Sequence, residues 1–123
     1  MGELFNQGNS QTLAEVWNGS TWSLQPTPHP SAFQVNTLNS VSCTAADACT
    51  AVGDSSTAGF GNFQTLAEVW DGTAWSLRST PNRPGPAPNF LNGVSCGASQ
   101  MCTAVGHSQN AAGIETTLIL TGD

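Results

Sequence analysis

The chain carries no lysine and only two arginines, Arg78 and Arg83, against eight carboxylates, for a net charge of −6. Two cations cannot make a basic patch, which excludes nucleic acid held by phosphate neutralisation and adhesion to an anionic membrane. No window sustains the 3.6-residue apolar period of an amphipathic helix, and no apolar run could cross a bilayer as a helix. The opening Met1-Gly2-Glu3-Leu4 has neither a basic start nor an apolar run, so no signal peptide is expected there. His29 and His107 are the only histidines, and neither lies beside a Ser or Cys nucleophile motif, so no catalytic triad can be argued. Nothing in the chain calls for a cofactor.

What is present is a repeat. Thr12-Leu-Ala-Glu-Val-Trp-Asn-Gly-Ser-Thr-Trp-Ser-Leu24 returns 53 residues later as Thr65-Leu-Ala-Glu-Val-Trp-Asp-Gly-Thr-Ala-Trp-Ser-Leu77. Trp, Val, Leu and Thr suit a pleated, packed surface, and here they flank an Asx-Gly pair that accepts the positive φ of a tight turn. Each copy therefore reads as a β-hairpin. Its tryptophans, Trp17 with Trp22 and Trp70 with Trp75, are directly cross-strand if the loop has four residues and diagonal if it has two. Pro26 and Pro28 close the first copy, and Pro81 and Pro84 the second, because proline cannot donate to a ladder. Hydrophobic content of 38%, with four Trp and five Phe, argues against a disordered tail, while thirteen Gly and seven Pro favour short strands and turns. The fold class is all-β.

The four cysteines keep the same period, as Cys43-x5-Cys49 and Cys96-x5-Cys102. Each pair brackets a short polar turn between strand-like runs, where a hairpin sets the two residues opposite each other and a disulfide is feasible. Zinc needs four convergent ligands, and no histidine recurs with the repeat, so metal and free thiols are the weaker alternatives. Disulfides imply an oxidising compartment. With no signal peptide expected, the chain is either a processed or recombinant piece of a secreted protein or one whose thiols stay reduced in a cytosol.

The repeat unit is expected to hold four strands: Leu38–Cys43, Cys49–Gly53, Thr65–Trp70 and Thr73–Leu77. Residues 1–11 align with the polar loop 54–64 and are expected to be loop, so the chain starts partway through a unit. It then divides into a partial unit (1–30, the outer hairpin), a complete one (31–84) and a third (85–123) that lacks its last strand. The expected inventory is two strands, then four, then three. A four-stranded meander repeated every 40–50 residues or so is the signature of a β-propeller blade. Small residues such as Ala51, Gly53, Ala104 and Gly106 suit inner strands and the tryptophans suit outer ones. A β-sandwich with an internal duplication is the alternative. About two blades per chain cannot close a ring, since propellers have at least about four. Either copies assemble head to tail, a trimer or tetramer being favoured, or the chain belongs to a longer propeller.

The pattern Leu-Asn-x-Val-Ser-Cys, Cys-Thr-Ala-Val-Gly, Leu-Ala-Glu-Val-Trp-(Asn/Asp)-Gly-x-x-Trp-Ser resembles the repeats of bacterial secreted β-propeller proteins, abundant in actinobacteria. The resemblance covers nearly all of residues 12–120. The Asp71-Gly72-x-x-Trp75 turn is loosely similar to the Asp-box of sialidase-like propellers, but Val69 stands where that motif wants Ser, so no enzymatic meaning is carried over.

Glu15 and Glu68 precede a tryptophan by two residues and share its face. An acid beside an indole is an arrangement that holds sugars, and the competing reading makes these residues inter-blade core. Arg78 follows the second hairpin, with Gln25 in its place in the first. A non-enzymatic, lectin-like or protein-binding module is therefore expected, with ligand sites near Trp17, Trp22, Trp70, Trp75, Glu15, Glu68 and Arg78. Its partners would be further copies of itself and glycans. A structural assembly unit is the second reading. A glycoside-hydrolase-like propeller ranks last, because only Asp47, Asp54 and Glu115 escape the repeat as candidate acids. Asp47 and Asp54 are not mirrored, which weakens a repeated calcium site. Asn18-Gly19-Ser20 matches a glycosylation sequon.

Overall fold

A computed structural model describes residues 2–6, 9–28, 35–56, 63–82, 88–97, 101–109 and 115–122. Among them there are ten strands and no helix. β1 (Gly2–Asn6), β2 (Asn9–Trp17) and β3 (Trp22–Gln25) form a first unit. β4 (Val35–Ala45), β5 (Ala48–Ser56), β6 (Gln64–Trp70) and β7 (Trp75–Arg78) form a second, an antiparallel four-stranded meander. β8 (Asn89–Cys96), β9 (Cys102–Gln109) and β10 (Glu115–Gly122) form a third, with three strands in antiparallel order.

The two hairpins take the expected form, and the loop has four residues. Trp17 pairs with Trp22 and Trp70 with Trp75 directly across the strands. The fourth strand therefore begins at Trp75, not at Thr73, because Thr73 and Ala74 belong to the turn. Asn18 Oδ1 accepts the N–H groups of Ser20 and Thr21 at 2.8 and 2.9 Å, and Asp71 Oδ1 those of Thr73 and Ala74 at the same two distances. Gly19 and Gly72 sit at φ +99° and +97°, the left-handed region that a side chain would resist. Thr12 and Thr65 staple their hairpins at the far end, each hydroxyl lying 2.6 Å from that of Thr27 or Thr80.

Both disulfides form, Cys43–Cys49 and Cys96–Cys102, and no cysteine is free. The two disulfides are compatible with an extracellular location. No helix of the described residues is long and apolar enough to cross a membrane.

Two expectations are corrected. Residues 2–6 and 9–11 are strand, not loop: β1 pairs with β2 from Gly2↔Leu13 to Asn6↔Asn9. The ladder edge of β2 that β5 covers on β6 must find backbone partners, and this need outweighs the polar composition of the segment. The inventory is therefore three, four and three strands. Likewise Asp54 to Ser56 continue β5 and are buried, where a loop was expected to begin. His29, Arg83, Pro30 and Pro84 lie outside the described residues.

The units stack through one interface used twice. Ala14 of the first unit packs with Leu38, Ala51, Leu66 and Trp75 of the second. One repeat later, Ala67 and Val52 of the second pack with Leu91 and Ala104 of the third. Ala67, Leu91 and Ala104 are the 53-residue equivalents of Ala14, Leu38 and Ala51. The strand-end link repeats as well. Ser10 pairs with Val35, and at the equivalent place the Asn89 N–H donates to Phe63 O at 3.0 Å. β4 and β8 meet along a seam in which Ser40 and Ser42 hydroxyls accept the N–H groups of Val94 and Cys96, at 3.2 and 3.0 Å.

Candidate functional site

Strand alternation divides each unit into two faces. On β6, Leu66, Glu68 and Trp70 look toward the first unit, together with Trp75 on β7; Thr65, Ala67 and Val69 look toward the third. The residues expected to bind a ligand therefore lie in two different environments. In the second unit Trp75 is 7% exposed and its indole N–H donates to Gln25 Oε1 of the first unit at 2.9 Å. Glu68 has no exposed surface. In the first unit the same positions are open: Glu15 is exposed, Trp17 is 49% and Trp22 64% exposed. The ring pairs are nevertheless alike, with centroids 5.6 Å apart for Trp17–Trp22 and 5.8 Å for Trp70–Trp75.

Neither carboxylate oxygen of Glu68 has a hydrogen-bond partner among the described residues. Burial disfavours the charged form and pushes its pKa up from 4.5 to about 7. Because the folded value lies above the unfolded one, the folded state holds the extra proton between pH ~4.5 and ~7, and stability falls as pH rises through that window. The loss should be about 2–3 kcal/mol, allowing for some screening of the charge by water. Glu68→Gln keeps the shape and cannot ionise. Urea unfolding from pH 4.5 to 8 should show a declining midpoint in the parent and a flat one in the variant, and parallel curves would refute this account. The exposed Asp71 moves the other way, its carboxyl held low by the N–H groups of Ala74 and Thr73.

Two clefts open between the second and third units, and Arg78 lines both. One, of about 370 Å³, lies at the end of the sheet where the disulfides sit and collects Trp70, Asp71 and Arg78 with Asp47 and Thr44. Of the expected ligand residues, only Trp70 and Arg78 are brought together here. The other, of about 570 Å³, runs between β5–β7 and the third unit, past Val69, Arg78, Thr80, Leu91 and Thr121.

The candidate hydrolase acids Asp47 and Asp54 do not converge. Asp47 is exposed in the β4–β5 turn, whereas Asp54 is buried seven positions beyond it, about 23 Å along an extended strand. Glycosidase carboxylates stand about 5–10 Å apart. Glu115 opens β10. No group of three or more His, Cys, Asp or Glu side chains that could hold a metal occurs among the described residues.

A pair of residues that sequence reasoning passed over is Asn39 and Asn92. Each is the extra residue at a register shift, following Leu38 or Leu91, which pair with Gly53 and Gly106. Asn39 Nδ2 donates to Asp54 Oδ2 at 3.1 Å and to Leu91 O, across the unit boundary, at 2.8 Å. Asn92 Nδ2 lies 3.1 Å from Nδ1 of His107, the equivalent of Asp54, whose ring stacks on Phe90. The signal was in the repeated Leu-Asn dipeptide. Its meaning was not, because a bulge is a property of two strands.

No protein-family model, no curated protein and no solved structure matches the chain.

Proposed function

We propose that the protein is a non-enzymatic binding module, a β-propeller segment of a secreted protein, that works by association through its tryptophan face. One observation carries this reading. Glu68 and Trp75 are buried on the face that packs against the first unit, with Trp70 partly buried beside them, and their equivalents Glu15, Trp17 and Trp22 are uncovered. Trp22 and Leu24, at 64% and 66% exposed, form an apolar patch of the kind that marks a protein contact. The complementary surface is the far side of the third unit, where Val105, the equivalent of the buried Val52, is 47% exposed. Joining the two surfaces in successive copies is a heterologous contact that closes into a ring when the rotation allows, with a trimer or tetramer favoured.

Native mass in solution tests the reading. A closed species of three or more copies is expected, and Trp22→Ser should convert it to monomer without loss of β-sheet signal. A parent chain that runs as a monomer at all concentrations would reject it. A glycan-binding reading draws on a different observation, the convergence of Trp70, Asp47, Asp71 and Arg78 in the smaller cleft. Glycan-array binding lost in Arg78→Ala but kept in Trp22→Ser would favour that second reading.

A further inference from the structure

We propose that Asn18 is a self-modification site, at which the β2–β3 turn closes a succinimide and converts the asparagine to aspartate. Asn18-Gly19 and Asn92-Gly93 are the two Asn-Gly pairs of the chain, and the fold treats them differently. In both, glycine presents its amide nitrogen with no Cβ in the way, and attack on the side-chain carbonyl closes a small ring within one dipeptide, at little entropic cost. At Asn18 the electrophile is also prepared. Its Oδ1 accepts the N–H groups of Ser20 and Thr21 at 2.8 and 2.9 Å. These distances suit the roughly 2.7–3.1 Å of donors in an oxyanion hole, and Oδ1 is the atom that gains negative charge when Cγ is attacked. Among the described residues no hydrogen bond holds Asn18 Nδ2, the leaving group, or the Gly19 N–H, the nucleophile. Asn18, Gly19 and Ser20 are exposed, so water reaches the ring.

The Gly19 amide gives up its proton and its nitrogen bonds to Asn18 Cγ. Nδ2 takes a proton and leaves as ammonia. Water then adds at Cγ and breaks the new C–N bond, restoring the main chain with a carboxylate at position 18, or adds at the Asn18 main-chain carbonyl and leaves an isoaspartyl link. The balance is one water consumed and one ammonia released. The second hairpin already has the form of the aspartate product. Asp71 Oδ1 accepts the N–H groups of Thr73 and Ala74 at 2.8 and 2.9 Å, so an aspartate at position 18 fits the turn as it stands. Asp71 and Gly72 are exposed although the first unit packs on the second, so a unit stacked on Trp17 and Trp22 would leave Asn18 open to water as well. Asn92 has a different setting. It lies in β8, in the ladder with β9, and its Nδ2 is 3.1 Å from Nδ1 of His107. Among the described residues no N–H is bonded to its Oδ1.

The test follows both Asn-Gly pairs in one molecule. The full chain is incubated in mildly alkaline buffer, folded and in parallel unfolded in guanidinium chloride, and peptide mapping by mass spectrometry reads the change from amide to acid at each site. In the folded chain Asn18 should convert faster than Asn92 by about tenfold or more, since one well-placed oxyanion donor alone is worth about a hundredfold or more. In the unfolded chain the two rates should come together, because the dipeptides are then equivalent. Comparable rates at the two sites in the folded chain would overturn the proposal. So would an Asn18 that converts when unfolded but stays intact when folded, because the turn would then protect the amide instead of activating it.

Discussion

Replacing Trp75 by alanine is expected to destabilise the protein by about 3–5 kcal/mol, whereas the same change at Trp22 should cost about 1 kcal/mol. The two residues share their neighbours in sequence, their turn and their cross-strand partner type. They differ in what lies in front of them. Trp75 is 7% exposed, packs against Ala14 and Leu38, and holds Gln25 Oε1 with its indole N–H. Its removal leaves a cavity at a unit boundary and an unsatisfied glutamine carbonyl, two costs that add. Trp22, 64% exposed, loses mainly its pairing with Trp17. Urea midpoints of both variants at a protein concentration low enough to keep the chain dissociated make the comparison. Equal losses would show that the tryptophans act within their hairpins, and the interface account would fail.

A second large effect is expected at Gly53 and Gly106. These glycines lie opposite Leu38 and Leu91, beside the register shifts of Asn39 and Asn92. A Cβ on Gly53 would run into the carbonyl oxygen of Thr37 and come within 2.9 Å of the Leu38 Cα. On Gly106 it would meet the carbonyl oxygen of Phe90 and the Leu91 Cα at 2.8 Å. These neighbours are backbone and cannot turn aside, so the paired strands must separate. Either alanine variant should lose about 3 kcal/mol or more, at the upper end of overpacking costs. Gly93 is the control. Its Cβ would find only Val105 Cγ2, at 3.6 Å, and Gly93→Ala should stay within about 0.5 kcal/mol of the parent. Thermal melts followed by circular dichroism separate the cases, and a Gly53→Ala melt that matches Gly93→Ala would contradict the close approach.

Much of the architecture is legible in the residues because it rests on local chemistry. Asn18-Gly19 and Asp71-Gly72 specify their turns by φ and by an Asx oxygen, and both are found as read. Cys43 and Cys49 are bonded because a hairpin leaves them nowhere else to be. The four strands of the second unit follow from alternation and turn signals. The misses have a different origin. β1 forms because an edge of β2 needs partners, and a segment five residues long carries no mark of that need. Glu15 and Glu68 lie in identical Leu-Ala-Glu-Val-Trp contexts, yet one is exposed and the other fully buried. No local rule can separate them, because their burial depends on whether another unit is stacked in front. For the same reason Gln25 and Arg78 read as a loose substitution, although one completes a contact with Trp75 and the other lines an open groove.

The doubled interface also bears on cooperativity. Units that touch only their neighbours, through one contact repeated along the chain, form a short one-dimensional lattice in which stability is a sum of unit and coupling free energies. Within a single dissociated copy the middle unit has two couplings and each outer unit has one. Opening should therefore begin at the β1–β3 and β8–β10 ends and reach β4–β7 last. The coupling adds to the intrinsic stability of a unit, because three strands need a covered hydrophobic face to be stable. Added units would deepen the well by nearly equal steps, and a single weak coupling would split the cooperative transition in two.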